Sequence, residues 1–396
     1  MKRELIRPAR AIGPADHFVG REAELAAFAE MGTSASRSAM PQIAVVEAPS
    51  GAGKTALLAE TAVRAEEERF VVIEIPVASL ESAELLRARV VPQLARRDRW
   101  KALIPDLSFG MPGGAGGSVS VSRPSPVAVS LLLDGLDSLS RRCGPSRRGP
   151  AGVLLLLDEA QRLTRRDEAA VDLLLEALRG RVGLRTLSIL AGLPDTLDGL
   201  DSPSLARADR IFGLGPLFRD ESVRLLELWL ADNGFSASSR EHLDAIAAHA
   251  QDWPEHLVHH IGAMLREAGA NGGVVDAGAA ARANAAAEPA MRVYYNGRLG
   301  FLRHRPPAEH HALTALALAV GELRNGLSSA RVQEIIELAG AGHDLSVRLA
   351  HAGVLVEDDG RWRFVIPSLR LHVLRTRDPL PAALNAALEE VLATRR

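Results

Sequence analysis

The chain has 396 residues, 47% hydrophobic and 24% charged, enough for about two or three domains with buried cores. A formal net charge of −2 argues against a protein that coats polyanions, and the one cysteine, Cys143, excludes a disulfide framework within the chain. No run approaches the ~20 apolar residues needed to span a bilayer, and residues 1–8 lack the apolar centre of a secretory signal, so a cytoplasmic chain with no membrane partner is the expectation.

Residues 1–16 are mixed and contain proline, and read as a lead-in. A helix opens within 17–25, where Glu22 and Glu24 suit a first turn. A strand at about 42–47 runs into a cluster of Pro, Ser and Gly, and a helix follows from about 54 to 67. The β-branched run at 70–77 predicts a buried strand, and 80–96 a helix. Residues 105–127 form a glycine-rich insertion, helix resumes at 131–139, and 141–152 is a loop rich in Arg, Gly, Pro and Ser. Val153 to Leu157 reads as an apolar strand that ends on Asp158 and Glu159. A helix at 167–180 and short strands at 186–190 and 210–214 complete the alternation. Such alternation predicts a parallel sheet flanked by helices, with ligands at the carboxyl ends of the strands. From about 216 the pattern is helical, at 219–233, 239–250, 255–268 and 276–295. Helices near 308–320, 328–339 and 343–352 follow, then strands at 354–356 and 362–366 joined by Asp358-Asp359-Gly360. Helix–helix–helix–hairpin is the order of a winged helix.

The chemistry concentrates in residues 47–56. Gly51 and Gly53 allow backbone amides to turn toward an oxyanion, and the next helix offers unpaired N–H groups and roughly +0.5 charge at its N-terminus. This is the spacing of a phosphate-binding loop, with Ala48 in place of the first glycine. Ser50, Gly51, Ala52, Gly53, Lys54, Thr55 and Ala56 are therefore candidates for holding a nucleotide. Lys54 would reach the β- and γ-phosphates, and the Thr55 hydroxyl would ligate Mg²⁺. Lysine occurs only at Lys2, Lys54 and Lys101 among 47 Lys and Arg residues, so a compact ammonium is kept where a planar guanidinium would not serve. The leucine run ending in Asp158-Glu159 matches the Walker B pattern. Asp158 would hold Mg²⁺ through its water shell, and Glu159 would orient and deprotonate the attacking water.

Phe18-Val19-Gly20-Arg21-Glu22-x-Glu24-Leu25, Asp158-Glu159-Ala160-Gln161 and Trp253-Pro254-x-His256-Leu257 together resemble the AAA-type branch of STAND P-loop ATPases. The likeness extends to the origin-recognition-like initiator ATPases and spans about 17–270, more loosely the C-terminal region. It implies an α/β P-loop NTPase domain with a parallel sheet flanked by helices (17–215), a helical lid (216–300), and a winged-helix domain with a C-terminal helix (301–396). It also implies ATP or ADP with Mg²⁺ as cofactors. Val19, Gly20 and Arg21 would pack near the adenine. Pro254 would touch base or ribose, with Asp252 standing where the family has glycine. Arg207 or Arg210 would act as an arginine finger or sensor, in cis or across a subunit interface.

Two departures bear on turnover. The strand at 186–190 ends in Ala191-Gly192, where a polar sensor is expected, and His256, His259 and His260 stand where a sensor arginine is expected. A slow Mg-dependent ATPase acting as a conformational switch for an unidentified protein partner, with nucleotide-dependent self-association, fits this pattern. The i,i+4 pair His256 and His260 lacks an accompanying carboxylate or thiolate set, so a solvated or nucleotide-facing helix edge is expected rather than a metal site; His310-His311 reads the same way. In the winged helix, the segment Asp344 to His351 offers one arginine and the hairpin tip is acidic, which disfavours DNA. The alternatives are a DNA-associated initiator-like or transposition-helper ATPase, and a non-hydrolysing scaffold with nucleotide held permanently.

Overall fold

The computed structural model describes residues 16–76, parts of 80–88, 126–143, 149–160, 184–193, 209–322, 326–358, 360–376 and 379–393. They form two compact units. The first holds the described residues of Ala9–Ala48 and Gly53–Gly215, the second those of Pro49–Ala52 and Pro216–Arg396.

The first unit comprises α1 (Glu22–Ser38), β1 (Gln42–Glu47), α2 (Lys54–Glu67), β2 (Val71–Pro76), α3 (Pro126–Ser140), β3 (Val153–Asp158), β4 (Thr186–Gly192) and β5 (Arg210–Gly213). Its sheet has the order β2-β3-β4-β1-β5, and every pairing is parallel. The runs of Val, Ile and Leu explain this arrangement, because a parallel strand is covered on both faces and must be apolar on both. β4 is buried along its whole length, and β3 until Asp158 emerges. Ile43, Val45, Ile73 and Leu155 gather with Leu132 and Leu136 of α3 into one core. Each such side chain contributes about 1.5–3 kcal/mol on full burial. Cys143 lies against this core, its Sγ 3.3 Å from the Leu139 carbonyl oxygen, and burial pushes its thiol up to about 12. It stays protonated and unreactive at neutral pH.

The second unit opens with four helices, α4 (Arg219–Asp232), α5 (Arg240–Ala250), α6 (Pro254–Ala270) and α7 (Ala277–Arg298), and a two-residue parallel pair, β6 (Ser236–Ala237) with β7 (Val274–Val275). Side chains cap two of these helices: Ser239 accepts from the Glu241 amide, and Asp276 accepts from the Ala279 amide at 2.8 Å. Pro289 sits inside α7, where it removes one backbone donor from the ladder. After these come α8 (Pro307–Glu322), β8 (Leu327–Ser328), α9 (Ser329–Leu338), α10 (Leu345–His351), β9 (Leu355–Asp358), β10 (Arg361–Phe364), α11 (Pro367–Thr376) and α12 (Ala382–Ala393). β8, β10 and β9 form an antiparallel sheet in that order.

Within the described residues the strands and helices expected from hydrophobic runs are present, with α1 extending to Ser38 and α3 beginning at Pro126. β6, β7 and β8 were not expected; two-residue strands leave no periodic signal. The helix at 167–180, most of 80–96 and the glycine-rich stretch up to 125 lie outside the described residues. Among the described residues, no helix is long and apolar enough to cross a membrane.

The reading of His256 and His260 as a solvated or nucleotide-facing edge is overturned. Both are fully buried. His256 Nδ1 donates to the Ala250 carbonyl at 3.1 Å, and its ring stands edge-on to Tyr294 and Tyr295. His260 Nδ1 donates to the His256 carbonyl at 2.8 Å, leaving its Nε2 to meet His249 Nδ1 at 3.0 Å. Among the described residues no cluster of His, Cys, Asp and Glu is placed to hold a metal ion. Burial, with the nearby histidines adding to it, lowers His256 to about 3 and His260 to about 4, so both are neutral when folded. An unfolded chain protonates them near 6.5, hence stability is full above that pH and falls as pH drops toward the folded values. At pH 5 the loss is about 2 kcal/mol for each histidine. Thermal melts between pH 7.5 and 4.5 should show a steep decline below pH 6.5, flattened in His260→Gln.

Candidate nucleotide-binding site

β1 delivers the chain to Ala48, whose amide donates to the Gly192 carbonyl at the end of β4 (3.1 Å). Ala48 is not among the left-handed residues, so alanine in place of the first glycine is accommodated without strain. The loop then turns tightly: the Ala52 amide donates to the Pro49 carbonyl at 3.2 Å, and Gly51 and Gly53 adopt φ 79° and 92°. These are the angles that glycine takes at little cost. Gly53 is the N-cap of α2 and supplies no side-chain acceptor, so the first-turn amides face the loop. Lys54 Nζ reaches back to the Ala48 carbonyl at 2.5 Å.

The Thr55 hydroxyl donates to Asp158 Oδ2 at 2.9 Å. The other carboxylate oxygen, Oδ1, accepts from the Glu159 amide at 2.8 Å. β1 and β3 are not neighbours, since β4 separates them. At a strand spacing of about 4.8 Å their ends are about 10 Å apart. Thr55 closes that gap: the loop 48–53 carries the chain from the end of β1 to the start of α2, whose second residue meets Asp158. Glu159 leaves β3 in the left-handed region, φ 62°, a conformation that costs a non-glycine residue about 1 kcal/mol and bends the chain sharply there. The tip of β4 carries Ala191 and Gly192, with no polar side chain.

The remaining candidates have the following surroundings. Gly20 (φ 73°) and Arg21 (φ 62°) turn the chain into α1, and Val19 is half-buried ahead of them. The Arg21 guanidinium donates to the Gly215 carbonyl and lies 3.9 Å from Glu24. Ala52 is fully buried, and Ala56 is half-buried in the first turn of α2. Arg210 opens β5 opposite Ala44, three residues before the end that faces the loop, and its guanidinium pairs with Glu30 at 2.7 Å on the surface. Arg207 lies outside the described residues.

In the second unit Pro254 occupies the first position of α6, with buried Trp253 as the N-cap. Asp252 has φ 55°, the region that glycine favours. Arg219 holds it there with paired hydrogen bonds of 2.9 and 2.8 Å. The Glu255 amide donates to the Gly51 carbonyl at 3.1 Å. Tyr294 and Arg298 also bond the loop, at Ser50. Sequence reasoning missed both, since they fall in a helix with no recognised motif.

Residues 17–190 match the AAA ATPase domain family. Among solved structures, the Walker-type ATPase PABY2304 of Pyrococcus abyssi is similar to this chain at 18% identity and TM-score 0.60, covering 95% of this chain and 99% of that one. The ORC1 protein of Aeropyrum pernix, solved in complex with DNA, matches at 17% identity and TM-score 0.45 over 96% and 94%. No curated protein matches the chain. The first unit thus has the fold of a P-loop NTPase.

Arg210→Ala removes an exposed ion pair worth less than about 1 kcal/mol. Nucleotide affinity measured by titration is expected to stay within about twofold of the unaltered protein.

Proposed function

We propose that the chain binds ATP with Mg²⁺ at the loop 48–56 and hydrolyses it slowly, using the nucleotide state as a conformational switch for a protein partner. The observation that carries this reading is the 2.9 Å contact of the Thr55 hydroxyl with Asp158 beside a loop with two left-handed glycines. The residues present fit a magnesium nucleotide: a hydroxyl and a carboxylate lie together for the hard cation, which favours oxygen ligands, and helix-start amides and one ammonium face the anion. When bound, Mg²⁺ neutralises charge developing on the phosphates.

Lys54 would exchange its bond to the Ala48 carbonyl for phosphate oxygens. Thr55 and Asp158 would hold the cation, and Glu159, one residue beyond, would orient the attacking water and take its proton. The apolar tip of β4 supplies no polar sensor, which favours slow turnover over motor activity. Val19, Gly20, Arg21 and Pro254 are the residues assigned to the adenine and ribose, and Arg207 and Arg210 the candidates for an arginine finger or sensor acting in cis or from a neighbouring copy.

In the second unit, α8, α9, α10 and the three-stranded sheet fit a winged helix. Arg348, the arginine of its α10, is bound by Glu309 at 2.9 Å and Asp344 at 2.8 Å. Arg331 pairs with Glu334 at 2.8 Å, and Arg370 donates to the Ala317 carbonyl. These guanidiniums are engaged within the fold, which favours a protein-contacting role over a DNA-reading one.

Lys54→Ala should abolish ATP binding. Glu159→Gln should retain binding and lower turnover about 10²-fold or more; equal turnover in that variant would remove Glu159 from the base role. Absence of multiple turnover by the pure protein would favour the permanently bound scaffold. Titration with labelled duplex at low and physiological salt is expected to show no salt-dependent binding, with or without ATP.

A further inference from the structure

The tip of the loop, Pro49–Ala52, belongs to the second unit, where it is gripped through its carbonyl oxygens. The Tyr294 hydroxyl donates to the Ser50 carbonyl at 2.9 Å, and Arg298 Nη2 donates to the same oxygen. Arg298 Nη2 also donates to the Tyr294 oxygen at 2.8 Å, and Trp253 Nε1 does so at 3.3 Å. The phenol oxygen thus accepts twice and donates once, which uses its full capacity. Burial raises the Tyr294 hydroxyl above its ordinary value, keeping it a neutral donor. The approach is close: a Cβ added at Gly51 would lie 2.7 Å from the Tyr294 oxygen. One carbonyl further on, Gly51 accepts from the Glu255 amide.

A trans peptide is planar, with its C=O and N–H pointing in opposite directions. Fixing the Ser50 oxygen against Tyr294 and Arg298 therefore points the Gly51 amide away from them, to the face of the loop opposite the grip. A phosphate cradle needs its amides turned inward before the anion arrives, because each peptide that must flip on binding weakens affinity. Arg298 is itself anchored, since Nη1 donates to the Gly353 carbonyl at 2.9 Å and to that of Ala352 at 3.3 Å. We propose that Tyr294 and Arg298 are positioning residues for phosphate binding: they hold the Ser50–Gly51 peptide with its amide set for the nucleotide, and do not touch the nucleotide themselves. This rests on the reading of residues 48–56 as the nucleotide loop.

The test is an equilibrium titration of the full chain with ribose-labelled ADP and ATP at fixed Mg²⁺, together with melting temperatures measured without nucleotide. Tyr294→Phe, which deletes one oxygen, is expected to weaken binding about fivefold, and Arg298→Gln about tenfold or more. Arg298→Lys should resemble Arg298→Gln, because one ammonium cannot span Ser50 and the 352–353 turn. The melting temperature of Tyr294→Phe should stay close to that of the unaltered protein. Unchanged affinity in Tyr294→Phe, with Lys54→Ala failing to bind, would overturn the positioning role and leave the nucleotide reading standing. Affinity that is lost only in proportion to melting, and returns on cooling, would mark a purely structural role and equally overturn it. If the unaltered chain itself fails to bind, the nucleotide reading falls and the positioning role with it.

Discussion

The hydrogen bond between Thr55 and Asp158 joins residues 103 positions apart. It exists only if β1, β4 and β3 lie parallel and in their observed register, with Val46 beside Ala191 and Leu157 beside Leu190. A slip of one residue in β3 would turn Asp158 to the other face of the sheet, because side chains alternate along a strand. The dense leucine packing of β3 and β4 opposes such a slip, since every position would exchange its neighbours. The core of the first unit and the chemistry at its edge thus depend on one geometric condition.

Much of this condition was legible in the residues. Five short apolar runs separated by helical patterns specify a parallel sheet, and a strand that stops at glycines before Lys54-Thr55 specifies a loop wrapped on a helix start. These signals are local: the spacing from Ser50 to Thr55 sets its own conformation, whatever packs around it. The placement of Asp158 opposite Thr55 follows from the sheet order, which the run lengths suggest and do not dictate. β8 could not be read, being two residues long and defined only by its pairing with Arg361 and Trp362.

The histidines show why other parts of the structure were hidden. His256 and His260 lie four residues apart on a helix, and polar residues at that spacing usually mark a wet face. Two tyrosines more than 30 residues later in the chain cover His256, and His249 on another helix takes the free nitrogen of His260. Burial of this kind depends on long-range packing, for which no short pattern exists. Tyr294 and Arg298 were silent for the same reason: they meet Ser50 across 244 and 248 positions of sequence. Asp252 was a third such case, where the departure from glycine was visible and the Arg219 fork that makes it tolerable was not.

Pro289 gives α7 a mechanical property. With one rung missing from its ladder, the 22-residue helix has a weakened turn there. The stretch beyond it carries Tyr294, Tyr295 and Arg298, and Tyr295 is tied to Ser368 at 2.6 Å. That stretch is fastened at Ser50, at Ser368 and at the 352–353 turn. Adjacent side chains on a rod turn together, so a tilt that loosens the grip of Tyr294 must also strain the tie at Tyr295.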